Sequence, residues 1–325
     1  MECPNCTLAA FGALFACAIA VLFVVDLHTR YVNAIAGAKQ ATSNYAEVLA
    51  EHTARAFENV ERSLHVVEMV RRDAQDSRRI PAGGAAPRPH DLLRQLRQTS
   101  PLIVGLAWTN AAGDLQEHSY DHDPPRRNIA ETTHFSAQRD NAAGKIFIGQ
   151  PFRSARTGAW LTAASLRLTN PDGSFAGIAS AALDPTYFSG IYRSIRLGTG
   201  GAVALFHRAG MMVAREPVVE SAMGGSYTDG PLMAHHLPKA EAGSYETLGV
   251  VDGIARIVGY KAVPGLPIIL ASPSTHDLAA HVLAASGISG MVHHPLMSSE
   301  LAVALSRCLA TNSANEGLRQ IASAR

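Results

Sequence analysis

The stretch KIFIGQPFRSARTGAWLTAASLRLTNPDGSFAGIASAALDPTYF, residues 145–188, decides the fold. It reads as three consecutive antiparallel strands, about Lys145 to Pro151, Trp160 to Leu168 and Phe175 to Leu183, whose polar residues converge on one face. Thr157-Gly158 closes the first loop, and Asn170-Pro171-Asp172-Gly173 supplies Pro, Asp and Gly where a tight turn needs fixed or positive φ. Arg153, Trp160, Arg167 and Asp184 are then candidates to line a pocket, whereas the plainer reading is a sheet with ordinary solvent-facing arginines.

The chain has 325 residues, long enough for roughly two domains. Apolar residues make up 47% and charged residues 17%, which argues against disorder, and a formal charge of +1 leaves no electrostatic footprint for nucleic acid.

The run TLAAFGALFACAIAVLFVV, Thr7 to Val25, carries no charge and at about 1.5 Å per residue is long enough to cross the hydrocarbon core. It reads as a single membrane span. A cleaved signal peptide competes, with Ala34-Ile35-Ala36 as a cleavage-like site, but no Lys or Arg precedes the run and it exceeds a usual signal core. Glu2 is the one charged side chain before the span, while Arg30 and Lys39 follow it; the positive-inside rule taken literally favours the opposite orientation. A start codon assigned too late, with loss of a basic leader, explains the same pattern.

Cys3 and Cys6 form a CxxC without a second pair nearby, so a structural zinc site lacks ligands. Cys17 and Cys308 stand apart, and no disulfide framework is visible. His207, His235, His236, His276, His281, His293 and His294 lie in separate segments without metal-ligand spacing. No phosphate loop, nucleophile elbow or carboxylate pair is present, and neither a metal, a cofactor nor a catalytic residue is expected.

Residues 28–73 contain a single Gly and no Pro, with Tyr45, Val48, Leu49, His52, Ala56, Phe57, Val60, Leu64 and Val67 at helical spacing, a long amphipathic helix. The loop IPAGGAAPRP, Ile80 to Pro89, ends it. A helix at Asp91 to Gln98, strands at Leu102 to Trp108 and Leu115 to Tyr120, and a short helix at Glu131 to Arg139 lead into the meander. From Gly198 a smaller unit follows, with a strand pair in GTGGAVALFHRAGMMVAREP and further strands in GSYETLGVVDGIARIVGYKAVPGLPIILAS, where Asp252-Gly253 signals a hairpin.

The long helix after one span, PFRSARTGAW, LRLTNPDGSFAGIASAALDPTYF, LFHRAGMMVAREP and VDGIARIVGYKAVPG together resemble a double Cache sensor domain, over about residues 28–271. The resemblance implies an α+β protein: an anchor at 1–27, the long helix and a membrane-distal PAS-like module at 28–197, a membrane-proximal module at 198–271, each module with an antiparallel sheet. Such domains serve membrane histidine kinases, diguanylate cyclases and chemoreceptors. In them the distal module holds a small ligand, often an amino acid or carboxylate, and the proximal one relays the change.

Amino-acid-binding members place an aromatic, an Arg and a Trp on the helix before the meander. Here His134 takes the first position, Arg139 the second, and Asn141 stands where the Trp would be, so the pattern is broken. By this resemblance Arg139, Arg153 and Arg167 could fork onto a carboxylate, Trp160 could close an apolar wall, and Asp184 could accept from an ammonium.

Residues 266–309 are similar to the last two βα units of a response-regulator receiver, with His294-Pro295 where a Lys-Pro pair belongs and without the acidic cluster or phosphoacceptor Asp. Residues 272–325 then read as a receiver-like remnant left by an internal deletion in a hybrid kinase, or as plain capping helices. The leading expectation is a non-enzymatic, single-pass inner-membrane sensor with its Cache pair extracytoplasmic, binding a small carboxylate or amino-acid-like metabolite. The alternatives are an interaction protein that dimerises through the long helix, with itself or an intact relative, and a non-functional deletion product.

Overall fold

The computed structural model describes residues 4–77, 88–120, 127–140, 144–195, 197–198, 200–263 and 268–272. The chain divides into two compact units, residues 1–38 with 275–325, and residues 39–274. The receiver-like reading of residues 272–325 lies, Ser272 apart, outside the described residues.

Helix α1 runs without a break over Pro4–Ser77. Its described part in the first unit is apolar and open: every large apolar side chain of residues 11–25 is exposed, from Phe11 to Val25. An 18-residue window there reaches a mean hydropathy of 2.2, long and apolar enough to cross a membrane.

In the second unit, α1 buries Ala46, Leu49, Ala50, Thr53, Phe57, Val60, Leu64 and Val67 in one stripe at three- and four-residue steps. Three residues expected in that stripe face outward: Tyr45, Val48 and His52 are exposed. The buried seam runs instead through the small residues Ala46, Ala50 and Thr53, which let the helix backbone come close to its neighbours.

After α2 (Pro89–Gln98) come β1 (Ile103–Thr109), β2 (Leu115–His118), α3 (Thr133–Asp140), β3 (Phe147–Ile148), β4 (Phe152–Arg153), β5 (Trp160–Thr169), β6 (Phe175–Leu183) and α4 (Thr186–Arg193). Their sheet has the order β2-β1-β6-β5-β3, with β4 also on β5, and every pair is antiparallel. The meander is therefore present, with one correction. The expected strand at 145–151 is two short pieces, because Pro151 has no N–H to donate and the register slips by one residue between Gly149 and Phe152. Both predicted turns form: Gly158 and Gly173 take positive φ, and the Asn170 N–H donates to the Ser174 carbonyl across the second.

The two faces of this sheet differ chemically. Leu106, Trp108, Ala164, Leu166, Leu168, Ala179, Ala181 and Leu183 join Phe57, Val60 and Leu64 of α1 and Phe188 and Tyr192 of α4 in one core. The alternate positions, among them Gly105, Ala107, Ala163, Ser165, Arg167 and Ser180, carry small and polar groups, of which Ser165 and Arg167 reach α3.

The second sheet contains β7 (Ala202–Phe206), β8 (Met212–Glu216), β9 (Ala242–Leu248), β10 (Ala255–Ala262) and β11 (Ile268–Ser272), in the order β8-β7-β11-β10-β9 and wholly antiparallel. One face shares the core with α1. The other encloses a second core of Phe206, Met212, Leu232, Tyr245, Val258 and Tyr260 under the π-helical turn Leu232–His236. Gly259 on β10 lies against the backbone of Thr42, where a Cβ would overlap the Thr42 carbonyl.

Candidate ligand sites

Six side chains in the first module carry the expected ligand chemistry, and the fold does not gather them. Trp160 and Arg167 sit on the regular part of β5 an odd number of residues apart, so alternation sends them to opposite faces.

On the α3 face, the Arg167 guanidinium donates through Nη1 to the carbonyls of Gln138 (2.7 Å) and Arg139 (2.8 Å) and stacks 4.8 Å over the ring of Phe175. It thereby caps the C-terminal carbonyls of α3, where a cation is favoured. Arg139 is exposed and pairs with its neighbour Asp140 at 2.9 Å. His134 is half-buried; its carbonyl accepts from Ser165 Oγ at 2.9 Å, and its imidazole is held down to about 4 by burial, then by the charge of Arg127. At neutral pH it is uncharged, and its Nε2 lies 3.4 Å from Thr132 Oγ1. Gln138 is buried and donates to the carbonyls of Lys145 and Ser165, which fixes α3 to β5. His134, Arg167 and Ser165 thus share a face.

Arg153 and Trp160 form a separate pair on the strands β4 and β5. The guanidinium stacks 4.7 Å from the indole centroid and donates to the Gly158 carbonyl and to Glu220 Oε1, both at 2.7 Å. The indole lies on Gly224, where a Cβ would overlap the ring. Glu220 and Gly224 follow β8 of the second sheet, so this pair ties β4 and β5 of the first sheet to that segment, and His207 Nε2, 3.1 Å from the Ile148 carbonyl, makes a second tie. Asp184 precedes α4, and its Oδ1 accepts the backbone N–H of Thr186 at 2.9 Å.

The second module contains a cavity of about 90 Å³ that sequence reasoning missed. Apolar walls come from Ala204, Phe206, Met212, Leu232 and Val258, and one side is closed by Arg215, Asp252 and Arg256. Both arginines are buried, 4% and 5% exposed. Arg215 Nη2 donates to Asp252 Oδ2 at 2.6 Å, and Arg256 is bidentate on the same carboxylate at 2.6 and 2.8 Å. Arg215 also donates to the Pro217 carbonyl, and Arg256 donates twice to the Gly200 carbonyl. Hydrogen bonding from Arg256 holds the Asp252 carboxyl below its ordinary range, while burial lowers Arg215. The available signal was an Arg inside each of two apolar strands, VAR and ARIV, with an acid at the adjoining hairpin.

Among the described residues, no three His, Cys, Asp or Glu side chains gather where a metal could be held.

Residues 185–272 match the family dCache_1_like, described as a histidine kinase sensor domain. No curated protein matches the sequence significantly. Among solved structures, the extracellular domain of rpHK1S-Z16, described as a histidine kinase, is 24% identical with a TM-score of 0.65, over 75% of this chain and 98% of that one. The ligand-binding domain of the Pseudomonas fluorescens chemoreceptor CtaA, solved with L-isoleucine, is 13% identical with a TM-score of 0.56, over 75% and 95%. That of the Pseudomonas aeruginosa amino acid chemoreceptor PctC, solved with GABA, is 16% identical with a TM-score of 0.52, over 72% and 98%. At these identities the likeness is one of fold: this chain has the architecture of Cache ligand-binding domains of kinases and chemoreceptors, and residues 185–272 match the sensor family itself.

Proposed function

We propose that this protein is a membrane-anchored extracytoplasmic sensor of a small metabolite, a carboxylate or an amino-acid-like molecule, and has no enzymatic activity of its own. The observation that carries the reading is the match of residues 185–272 to a histidine kinase sensor family, inside a two-sheet fold shared along three quarters of the chain with an extracellular kinase domain. The open apolar helix of residues 11–25 supports the anchor. The amino acids bound by the chemoreceptors of the same fold support the ligand class.

In the first module, His134, Arg139, Arg153, Trp160, Arg167 and Asp184 remain the proposed recognition residues, divided by the sheet. A carboxylate entering under α3 would take Arg167 from the carbonyls of Gln138 and Arg139 beside the neutral His134, whereas Arg153 and Trp160 would report on the junction with the second module. A panel of amino acids and small carboxylates, added to the full chain in nanodiscs, tests the function. A true ligand at about a hundred times its Kd stabilises by about 2.7 kcal/mol and raises Tm by about 5–10 °C. If it binds under α3, Arg167→Gln abolishes the shift and Arg153→Ala does not. A panel without any stabilising member would sink the reading.

The interaction-protein alternative has weaker support. At heptad spacing the outward side of α1 reads Tyr45, Val48, His52, Arg55, Asn59, Arg62, Val66 and Met69, a seam too polar for a tight coiled coil.

A further inference from the structure

The second-module cavity has an unbalanced wall. Arg215 and Arg256 bring two guanidinium groups to the wall and Asp252 one carboxylate between them, a net charge of about +1. Among the described residues no other charged side chain lines the cavity, and the remaining walls are largely apolar. An uncompensated positive charge facing an apolar space is costly, and a monoanion placed there would relieve it. The size limits the choice further. A space of about 90 Å³ with mostly apolar walls suits a small molecule rather than a nucleotide or a peptide.

We infer that the second module binds a short aliphatic monocarboxylate, its carboxylate on Arg215 and Arg256 and its chain against Ala204, Met212 and Val258. This rests on the sensor reading and assigns it a second ligand site. The incoming carboxylate takes part of the guanidinium face that Asp252 now holds. Asp252 stands in the loop joining β9 to β10, a loop closed by Gly249 N–H to the Ile254 carbonyl (2.8 Å) and Gly253 N–H to the Gly249 carbonyl (2.7 Å). Leu248 and Val250 on the same hairpin are exposed while Val251 packs on the second core, so displacement of Asp252 acts on a loop that also walls the cavity. Binding is thereby coupled to the tip of the hairpin whose strand β10 packs on α1 through Gly259.

The test is titration calorimetry and thermal shift on the full chain in nanodiscs, with acetate, propionate, butyrate, 1-butanol and butylamine as probes. Propionate and butyrate should bind and raise Tm, acetate more weakly, the alcohol and the amine not at all. Ala204→Leu fills the cavity without touching a charge and should weaken butyrate about tenfold or more. Asp252→Asn should lower the Tm of the unliganded protein yet tighten butyrate, which then restores the lost stability; a purely structural Asp252 would give the first effect without the second. The inference is overturned if the acids bind neither the wild type nor Asp252→Asn, if 1-butanol matches butyrate, or if Ala204→Leu leaves binding unchanged. Ligands sensitive to Arg167→Gln alone would remove this site and keep the sensor reading. A protein that binds no metabolite at all would lose both.

Discussion

The imidazole of His134 is pushed down to about 4, mainly by burial and then by Arg127, against an ordinary value near 6.5. Unfolding returns it to the ordinary value, so between those two pH values the unfolded chain binds the extra proton. Stability is then fully present above about pH 6.5 and falls as the pH drops towards 4, by at most about 3 kcal/mol. Burial also lowers His207 and His236, which add the same sign. The difference between wild type and His134→Gln isolates the one residue: urea midpoints at pH 7.5 and pH 4.5 should lie closer together in the variant, and an unchanged gap would mean that His134 is not held neutral. At this scale the sequence was legible wherever counting along a strand suffices. Trp160 and Arg167 could have been assigned to opposite faces by alternation alone, before any coordinates. Arg215 is not legible as buried by counting, because the carboxylate that makes its burial tolerable stands 37 residues further along the chain. An arginine on a strand reads as solvated until its partner is located.

Among the elements, α1 shows what periodicity can and cannot tell. The helix and its buried residues Leu49, Phe57, Val60, Leu64 and Val67 follow from apolar spacing, but the contact that sets its height over the second sheet is a close approach of backbones, made possible by the missing side chain of Gly259. Gly259→Ala should destabilise the protein by about 3 kcal/mol, since the neighbouring atoms are backbone atoms of Thr42 and Ser43 that cannot swing away. Gly190 is the control: it lies within α4 with nothing within 4 Å of an added Cβ, and Gly190→Ala should stabilise by up to about 1 kcal/mol. Guanidinium melts of the two variants check the pair, and equal effects would show that α1 does not rest on β10. The exposed ion pairs across the same contact, Lys39 with Glu246 at 2.8 Å and Lys261 with Glu47 at 3.4 Å, should matter little by comparison. The strand expected at 145–151 breaks for a related reason. Apolar residues there stop at Ile148, and pairing depends on donors, of which Pro151 removes one at the edge of the sheet.

For the whole molecule the decisive quantity is the apolar surface of α1 that the fold leaves open. Nine large apolar side chains between Phe11 and Val25 are exposed, and keeping them in water forfeits roughly 20 kcal/mol relative to burial at 1.5–3 kcal/mol each. A bilayer supplies that burial for an uncharged helix of this length. The full chain should therefore stay with the membrane fraction through high salt and alkaline carbonate. The magnitude also says how hard the anchor is to break. One charge at the centre of a span costs about 3 kcal/mol on the insertion scale, so Ile19→Arg should remain membrane-bound, whereas deletion of residues 11–25 should release the protein. A wild-type chain extracted by carbonate, or a deletion variant still in the pellet, would end the anchor reading. Orientation is a separate matter, because Arg30 and Lys39 follow the span. Charge alone would keep the sheets in the cytoplasm; a sensor of external metabolites needs them outside. A phosphatase that folds only outside the cytoplasm, fused after residue 272, decides between them. Activity of that fusion means that the two-sheet domain was exported against its flanking charges, as long segments can be, and a silent fusion would turn both proposed ligand sites towards metabolites inside the cell.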